Sequence, residues 1–140
     1  MSNRTKRCFD KKARGWKSKT FKNRKDCLTK QKGVFYEGTL NKNDVPNGKG
    51  TYVYTNGTVY DGDWKNGNKH GKGKETFKTG DVYDGDWKNG KKNGKVKHIF
   101  PDGSKFEGNY KNDKKNGHGK FTPSDGKTFE MNYKNGKPKS

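Results

Sequence analysis

Aromatic residues and glycines alternate with polar residues in short segments along most of this chain. Tyr60, Gly62 and Trp64 are separated by two aspartates, so in a β-strand the two sets would point to opposite faces. Dipeptides such as Asn66-Gly67 stand between the segments, and Asn-Gly supplies the positive φ angles that tight hairpin turns require. The pattern therefore predicts β-hairpins connected in a meander.

The segments recur with a fixed period. The aromatic residues that open successive units are separated by steps of 24, 23, 23 and 23 residues, at Tyr36, Tyr60, Tyr83, Phe106 and Phe129. A period in the range of 20 to 50 residues is typical of repeat architectures. The sequence predicts about four full units followed by a terminal half-unit.

Aromatic rings replace aliphatic side chains as the material for a core. Only 23% of the residues are hydrophobic, and aromatic residues make up 13% of the chain. A ring can lie flat on the backbone of a neighbouring glycine, where no Cβ intervenes, so we predict a ladder of rings and glycines along the array. The predicted ladder comprises Tyr36, Gly38, Tyr60, Gly62, Trp64, Gly71, Gly73, Phe77, Tyr83, Gly85, Trp87, Phe100, Phe106, Gly108, Tyr110, Phe121, Phe129 and Tyr133.

The repeated pattern Tyr-x-Gly-x-Trp-x-x-Gly-x-x-His-Gly-x-Gly resembles the MORN repeat, and the unit that opens at Tyr60 matches it at every position. The resemblance implies an all-β fold: an elongated, twisted, single-layer antiparallel sheet of tandem β-hairpins. It also implies roles in scaffolding, dimerisation and docking, with lipid-headgroup binding proposed for some members. Leu40, Val96 and Asp113 are among the positions that depart from the pattern. We expect partner specificity at these departures and in the segment before the repeats.

That first segment is a basic arm. The chain has a net charge of +19, of which +11 falls in residues 1–32 and +8 in residues 33–140. We place a domain boundary there, with an extended or irregular arm before it and the repeat array after it. Its candidate residues for binding an anionic partner are Arg4, Lys6, Arg7, Lys11, Lys12, Arg14, Trp16, Lys17, Lys19, Lys22, Arg24 and Lys25.

Basic and aromatic residues together suit several partners. The sequence favours a structural protein that docks among protein neighbours in a large assembly, with the arm binding acidic partners. Arrays of this kind occur in protists and in the large DNA viruses that infect them, so a virion or capsid-associated component is the specific expectation, beside a cytoskeletal one. The alternatives are a peripheral membrane module that binds anionic phospholipids, and nucleic-acid binding through residues 1–32. The sheet edges at Tyr36 and Tyr133 are expected to be exposed and could pair with another chain to form a homo-oligomer.

Catalysis finds little support. His70, His98 and His118 are the only histidines, and no local signature groups them with a nucleophile. We expect His70 and His118 in turns. The recurring aspartate pairs, such as Asp61 and Asp63, are expected on a solvated face among lysines. The sequence therefore predicts no enzyme activity, no cofactor and no metal site.

Compartment and redox state follow from what the sequence lacks. No apolar run approaches the roughly 20 residues of a transmembrane helix, and no apolar signal segment begins the chain. We expect an intracellular protein that is not secreted and has no transmembrane segment. Cys8 and Cys27 are too few for a disulfide framework, and the sequence leaves open whether they pair.

Overall fold

The structure is a computed structural model that describes residues 5–9, 18–19, 34–43 and 45–139; before Phe35 only the backbone is described. Every regular element in these residues is a β-strand. The strands are β1 (Thr5–Phe9), β2 (Ser18–Lys19), β3 (Val34–Leu40), β4 (Pro46–Val53), β5 (Val59–Lys65), β6 (Asn68–Thr76), β7 (Val82–Lys88), β8 (Lys91–Ile99), β9 (Lys105–Lys111), β10 (Lys114–Thr122), β11 (Phe129–Lys134) and β12 (Lys137–Pro138).

All twelve strands form one sheet, in which β3 to β12 lie in chain order. Each strand from β3 onward pairs antiparallel with its successor, so the sheet is a single open layer of hairpins. The predicted fold class, an all-β single-layer antiparallel sheet of tandem hairpins, is confirmed. The described residues include no helix long and apolar enough to cross a membrane.

The two ends of the sheet differ from the prediction. Strand β1 pairs with β3, with Arg7 opposite Tyr36, and β2 lies beyond β1. The prediction that Tyr36 lies on an exposed edge is therefore wrong, because a strand of the arm continues the sheet there. At the other end, β12 pairs with Tyr133 and Lys134, and the N–H of Lys139 donates to the carbonyl oxygen of Asn132 at 2.7 Å. The predicted open edge at Tyr133 is therefore wrong as well, and the edge of β11 is limited to residues 129–131.

Two kinds of turn alternate along the sheet. Two-residue turns join the strands within units 2 to 5, and both residues of each have positive φ: Asn66-Gly67, Asn89-Gly90, Asn112-Asp113 and Asn135-Gly136. The turns between units are longer, and in them only the glycine has positive φ, as at Gly57 and Gly103. Asp113 has φ +72°, so it adopts the same left-handed conformation as the glycine at this turn position in units 2, 3 and 5.

A β-bulge in each of units 1 to 4 changes which residues lie opposite each other. Gly62 is opposite Gly73, but Trp64 is opposite Lys69, so the second strand holds two more residues than the first between these pairs. The carboxylate of Asp63 accepts a hydrogen bond from the backbone N–H of Lys72 at 3.2 Å inside the bulge. The bulge places Lys69 opposite Trp64, on the face that carries Tyr60.

The rings form two buried clusters on this face, which we call the aromatic face. The first cluster contains Tyr36, Tyr52, Tyr60, Trp64 and Trp87. The second contains Val96, Phe106 and Tyr110. Partly buried Tyr83 packs against both, so it joins the two halves of the core.

Candidate functional site

Rings rest on glycines along the aromatic face. A Cβ at Gly73 would overlap the Tyr60 hydroxyl group, and one at Gly119 would overlap the Phe106 ring. The rings meet one another mainly edge to face, as where Tyr60 and Trp87 have centroids 5.5 Å apart at 88°. Tyr83 differs because Val96 occupies the place of the glycine, and its ring stacks instead on His98.

Indole groups connect consecutive units. Trp64 Nε1 donates to the carbonyl oxygen of Gly50 at 3.0 Å, and Trp87 Nε1 donates to that of Gly73 at 3.0 Å. Each bond joins a unit to the preceding one, and both are buried. The fourth unit has Tyr110 at this position, and its ring packs edge to face on Phe106 instead.

Three lysines lie among the rings, at the tenth position of units 2, 3 and 4. Lys92 Nζ lies 3.8 Å from the centroid of the Tyr83 ring and 5.6 Å from that of Tyr110. Lys115 Nζ lies 4.1 Å from the Phe106 centroid and 5.1 Å from the Tyr133 centroid. Lys69 has equivalent contacts with Tyr54, Tyr60 and Trp87. We call Lys69, Lys92 and Lys115 the lysine row; each ammonium is held by ring faces of its own unit and a neighbouring one.

Lys69 also has a carboxylate partner. Its ammonium forms a salt bridge with Glu75, and the two side chains are only 15% and 9% exposed. Glu75 lies on the aromatic face directly opposite Tyr83. This pair shows that a carboxylate fits beside a lysine of the row when both are largely removed from water.

The other two lysines of the row lack this partner. The residues that correspond to Glu75 one and two units later are His98 and Phe121. Asp113 accepts a hydrogen bond from the backbone N–H of Lys92 at 2.8 Å, but its carboxylate makes no salt bridge with the ammonium. Burial lowers the pKa of Lys92, even though Asp113 and Glu75 favour its charge, and burial also lowers the pKa of Lys115.

His98 is a buried link within the second half of the face. Its ring stacks between Tyr83 and Phe100, with centroids 4.1 and 3.9 Å away. Its Nε2 lies 3.0 Å from Oδ1 of Asp81, whose pKa is lowered by hydrogen bonds from Thr79 and then from His98. The Thr79 hydroxyl group also donates to Asp81, at 2.5 Å, so Asp81 is held from two sides and keeps the His98 ring in place.

The opposite, polar face carries charges of both signs. Lys49 pairs with Asp63 at 3.0 Å, and Lys72 pairs with Asp86, one unit later. Burial raises the pKa of Asp63, but hydrogen bonds from Lys49 and from the Lys72 backbone outweigh it and lower the pKa overall. These contacts make the recurring aspartates structural, since they anchor the bulge and the preceding unit.

The recurring pair of lysine and aspartate has no counterpart in the fourth unit, where Glu107 pairs with Lys97 and Lys105 instead. Lys95 is opposite Asn109, where the earlier units have an aspartate. A shallow groove of about 430 Å³ runs past Lys95, Lys97, Glu107 and Lys120. Within the part of the chain that the structure describes, no group of three or more His, Cys, Asp or Glu residues could hold a metal ion.

The candidate residues of the arm are mostly beyond the described residues. The backbones of Lys6 and Arg7 lie in β1, and that of Lys19 lies in β2. Outside the described residues are Arg4, Lys11, Lys12, Arg14, Trp16, Lys17, Lys22, Arg24, Lys25 and Cys27. The prediction that the arm binds an anionic partner stays a prediction.

The remaining predicted residues lie in the repeats. His70 and His118 lie inside β6 and β10, so their predicted placement in turns is wrong. The bulge accounts for this difference, since it lengthens the second strand of the unit. Phe129 lies at the edge of the sheet and is 57% exposed, so its ring has no covering strand.

Sequence reasoning missed the lysine row. Alternation within the strand gives Lys69 the same parity as Gly71 and Gly73, but it does not reveal that the bulge places this tenth residue of the unit, and not Gly71, opposite Trp64. The signal that could have found it is periodic: Lys69, Lys92 and Lys115 are spaced by 23 residues. Lysines are common throughout these units, and this regularity is therefore easily overlooked.

Comparison with known proteins agrees with this geometry. The family model of the MORN repeat matches four consecutive stretches, residues 36–59, 60–82, 83–105 and 106–128. No curated protein matches the chain. The matched stretches cover more than half of the chain and coincide with the hairpin units of the sheet. The protein therefore belongs to the MORN-repeat family.

Proposed function

We propose that this protein is a non-enzymatic scaffold that docks among protein neighbours in a larger assembly. MORN repeats are found in structural and scaffold-type proteins and in membrane-associated modules. In the specific version of the proposal the assembly is a virion or a capsid-associated particle, and the arm at residues 1–32 binds acidic partners there.

The observation that carries the proposal is the incomplete edge at β11. Phe129 and Met131 are 57% and 43% exposed, while rings at the opening position of other units, such as Tyr60 and Phe106, are buried. The edge also offers unpaired backbone groups next to these side chains. An exposed strand edge with apolar side chains is a surface that pairs with another polypeptide.

The charged side chains of the polar face support the same conclusion. Aspartates that could take part in acid–base chemistry are already bound to Lys49, to Lys72 and to backbone N–H groups. They therefore hold the sheet together. The surfaces that remain for an external partner are the edge of β11, the lysine row and the basic arm.

Site-specific photo-crosslinking tests the proposal. A photoreactive amino acid replaces Phe129 in one variant, Lys17 of the arm in a second, and exposed Lys78 between two units as a control. We expect reproducible protein crosslinks from the first two positions and few from the third. Equal labelling from all three positions, or crosslinks to lipid or nucleic acid alone, would contradict the scaffold.

The alternatives have their own readouts. A membrane module would float with phosphatidylserine vesicles but not with phosphatidylcholine vesicles at physiological salt. A nucleic-acid protein would lose affinity for DNA or RNA steeply as salt rises, in proportion to the number of phosphates that the arm contacts. Replacement of Lys11, Lys12, Arg14 and Lys17 by glutamine would reduce both activities, and neither requires the edge of β11.

A further inference from the structure

We infer that the second half of the aromatic face binds two carboxylates of an acidic protein segment, one at Lys92 and one at Lys115. The inference rests on the proposed scaffold function and names the chemistry of one of its partners. It starts from a difference between consecutive units: Lys69 forms a salt bridge with Glu75, whereas the next two units have His98 and Phe121 at the position of Glu75.

The salt bridge between Lys69 and Glu75 shows how a lysine of the row binds a carboxylate. The carboxylate reaches the ammonium on the aromatic face, between the rings, with both side chains largely buried. Lys92 and Lys115 have the same ring contacts on their own strands. An external glutamate or aspartate can therefore pair with either ammonium from the exposed side of the face, since His98 and Phe121 fill the place of Glu75 itself.

The positions that face these lysines are compatible with such a ligand. His98 and Phe121 replace Glu75 in the third and fourth units, so no carboxylate of the chain competes at that place. Asp113 is the acidic group nearest to Lys92 by its contacts, and it is held in a turn by the backbone N–H of Lys92. Both lysines are partly exposed, and they are therefore open to a partner from the side of the face.

Desolvation explains why these ammoniums would favour a carboxylate over water. The ring faces stabilise each cation but bring no negatively charged oxygen to its N–H groups. A carboxylate supplies both charge and acceptors, and a charge-assisted hydrogen bond in a partly desolvated place is stronger than one on an open surface. Burial lowers the pKa of both lysines, in agreement with that deficit.

Spacing defines the ligand further. Lys92 and Lys115 lie on β8 and β10, with β9 between them. Two strand spacings amount to about 10 Å, and three residues of a polyproline II helix span about 9 Å and bring the side chain back to the same side. The preferred segment therefore has two acidic residues separated by two others, and it crosses the strands in a polyproline II conformation.

A synthetic peptide is the probe. The full chain is titrated with a fluorescent, otherwise neutral 10-residue peptide that contains Glu-Thr-Thr-Glu, and the affinity is read from fluorescence anisotropy at 150 mM salt. The matched peptides contain Gln-Thr-Thr-Gln, or two adjacent glutamates. We expect the first peptide to bind at least about tenfold more tightly than the glutamine peptide and more tightly than the adjacent pair.

The protein variants localise the site. K92M and K115M together remove both ammoniums but keep the apolar stems, and we expect a loss of affinity of about tenfold or more. The control is K91M with K114M, since these exposed lysines are the immediate neighbours on the same strands and the change in net charge is equal. We expect less than a twofold change in the control.

A gain of an internal carboxylate gives a second, independent test. F121E places a glutamate next to Lys115, at the position of the fourth unit that corresponds to Glu75 in the second. We expect it to weaken binding of the acidic peptide without removing any lysine, and circular dichroism shows whether the sheet is retained. If F121E lowers the affinity of the glutamine and glutamic acid peptides equally, the carboxylate site is excluded.

Three results would overturn the inference. The first is an equal loss of peptide affinity in K92M/K115M and in K91M/K114M, and the second is equal affinity for the glutamate and glutamine peptides. The third is that the peptide does not bind, while phosphatidylserine vesicles bind in a way that depends on Lys92 and Lys115. If the acidic peptide does not bind but position 129 still gives specific protein crosslinks, the proposed scaffold function stands. Loss of those crosslinks would instead exclude the scaffold.

Discussion

The Tyr60 ring lies directly on the backbone of Gly73, in the space that a Cβ of residue 73 would occupy. Tyr60 is fully buried, and its hydroxyl group donates to the carbonyl oxygen of Asp63 at 2.9 Å, so the ring is fixed at both ends. The glycine is therefore required for packing, because the ring cannot retreat without losing this hydrogen bond.

Gly73→Ala should destabilise the protein by about 3 kcal/mol, because the new methyl group must displace the Tyr60 ring or the backbone. Chemical denaturation monitored by tryptophan fluorescence measures the change. Lys74→Ala, at an exposed position of the same strand, is the control and should change stability by less than about 0.5 kcal/mol. In a Tyr60→Ala background, the cost of Gly73→Ala should fall by at least about 1 kcal/mol. An unchanged cost there would show that the ring is not what the methyl group meets.

The buried pair of Lys69 and Glu75 should be strongly coupled. Glu75→Gln leaves an ammonium without its carboxylate, and Lys69→Met leaves the carboxylate without its ammonium, so each should cost about 3 kcal/mol. The double variant should recover most of this loss, since it leaves neither charge buried alone. Denaturation of all four proteins gives the coupling energy. If the losses simply add, the two groups do not interact as the structure shows.

Alkaline pH should unfold the protein through its tyrosines. Burial, with a smaller contribution from Glu75, raises the pKa of Tyr54 to about 12, and burial raises the pKa of Tyr52, Tyr60 and Tyr110 as well. Because the folded state holds these protons more tightly than the unfolded state, the stabilisation is complete below about pH 10, the ordinary tyrosine pKa. It should be lost as the pH rises from there through 12.

Absorbance of phenolate near 295 nm and circular dichroism should change together above pH 10 if this explanation is right. Between pH 10 and 12, Tyr54→Phe should make the free energy of unfolding fall less steeply with pH. At pH 7 the same substitution should change the free energy of unfolding much less. Ionisation of all the tyrosines near pH 10, with the sheet intact, would contradict the burial of these hydroxyl groups.

His98 allows the ring contribution to be separated from the charge contribution. His98→Phe keeps a flat ring between Tyr83 and Phe100 but removes the contact with Asp81, and it should change stability by less than about 1 kcal/mol at pH 7. His98→Ala removes the ring and should cost about 3 kcal/mol. Equal losses for the two variants would mean that the hydrogen bond with Asp81 is the main contribution.

The sequence was sufficient to predict the hairpins because each unit repeats its own turn and face signals. The aromatic positions and the asparagine-glycine turns recur with one period, and the sheet follows them. What could not be predicted depends on register: the bulge beside Asp63 brings Lys69 among the rings and extends the strand through His70. The coverage of Tyr36 by β1 was also out of reach, since the pairing joins segments of unrelated composition.

The position of Tyr83 between the two buried clusters has a consequence for the order in which the array comes apart. Indole hydrogen bonds tie the first three units together, whereas the fourth is held to the third by packing around Val96 and Tyr110. In a repeat protein, stability is a sum of unit terms and nearest-neighbour terms, and a weaker junction divides cooperative opening into stages. We therefore expect the units beyond Tyr83 to open first, and amide hydrogens in β9 to β11 to exchange sooner than those in β5 to β7. Lys92 and Lys115 lie in this less stable half, so a partner that binds them would slow amide exchange there more than in the first half.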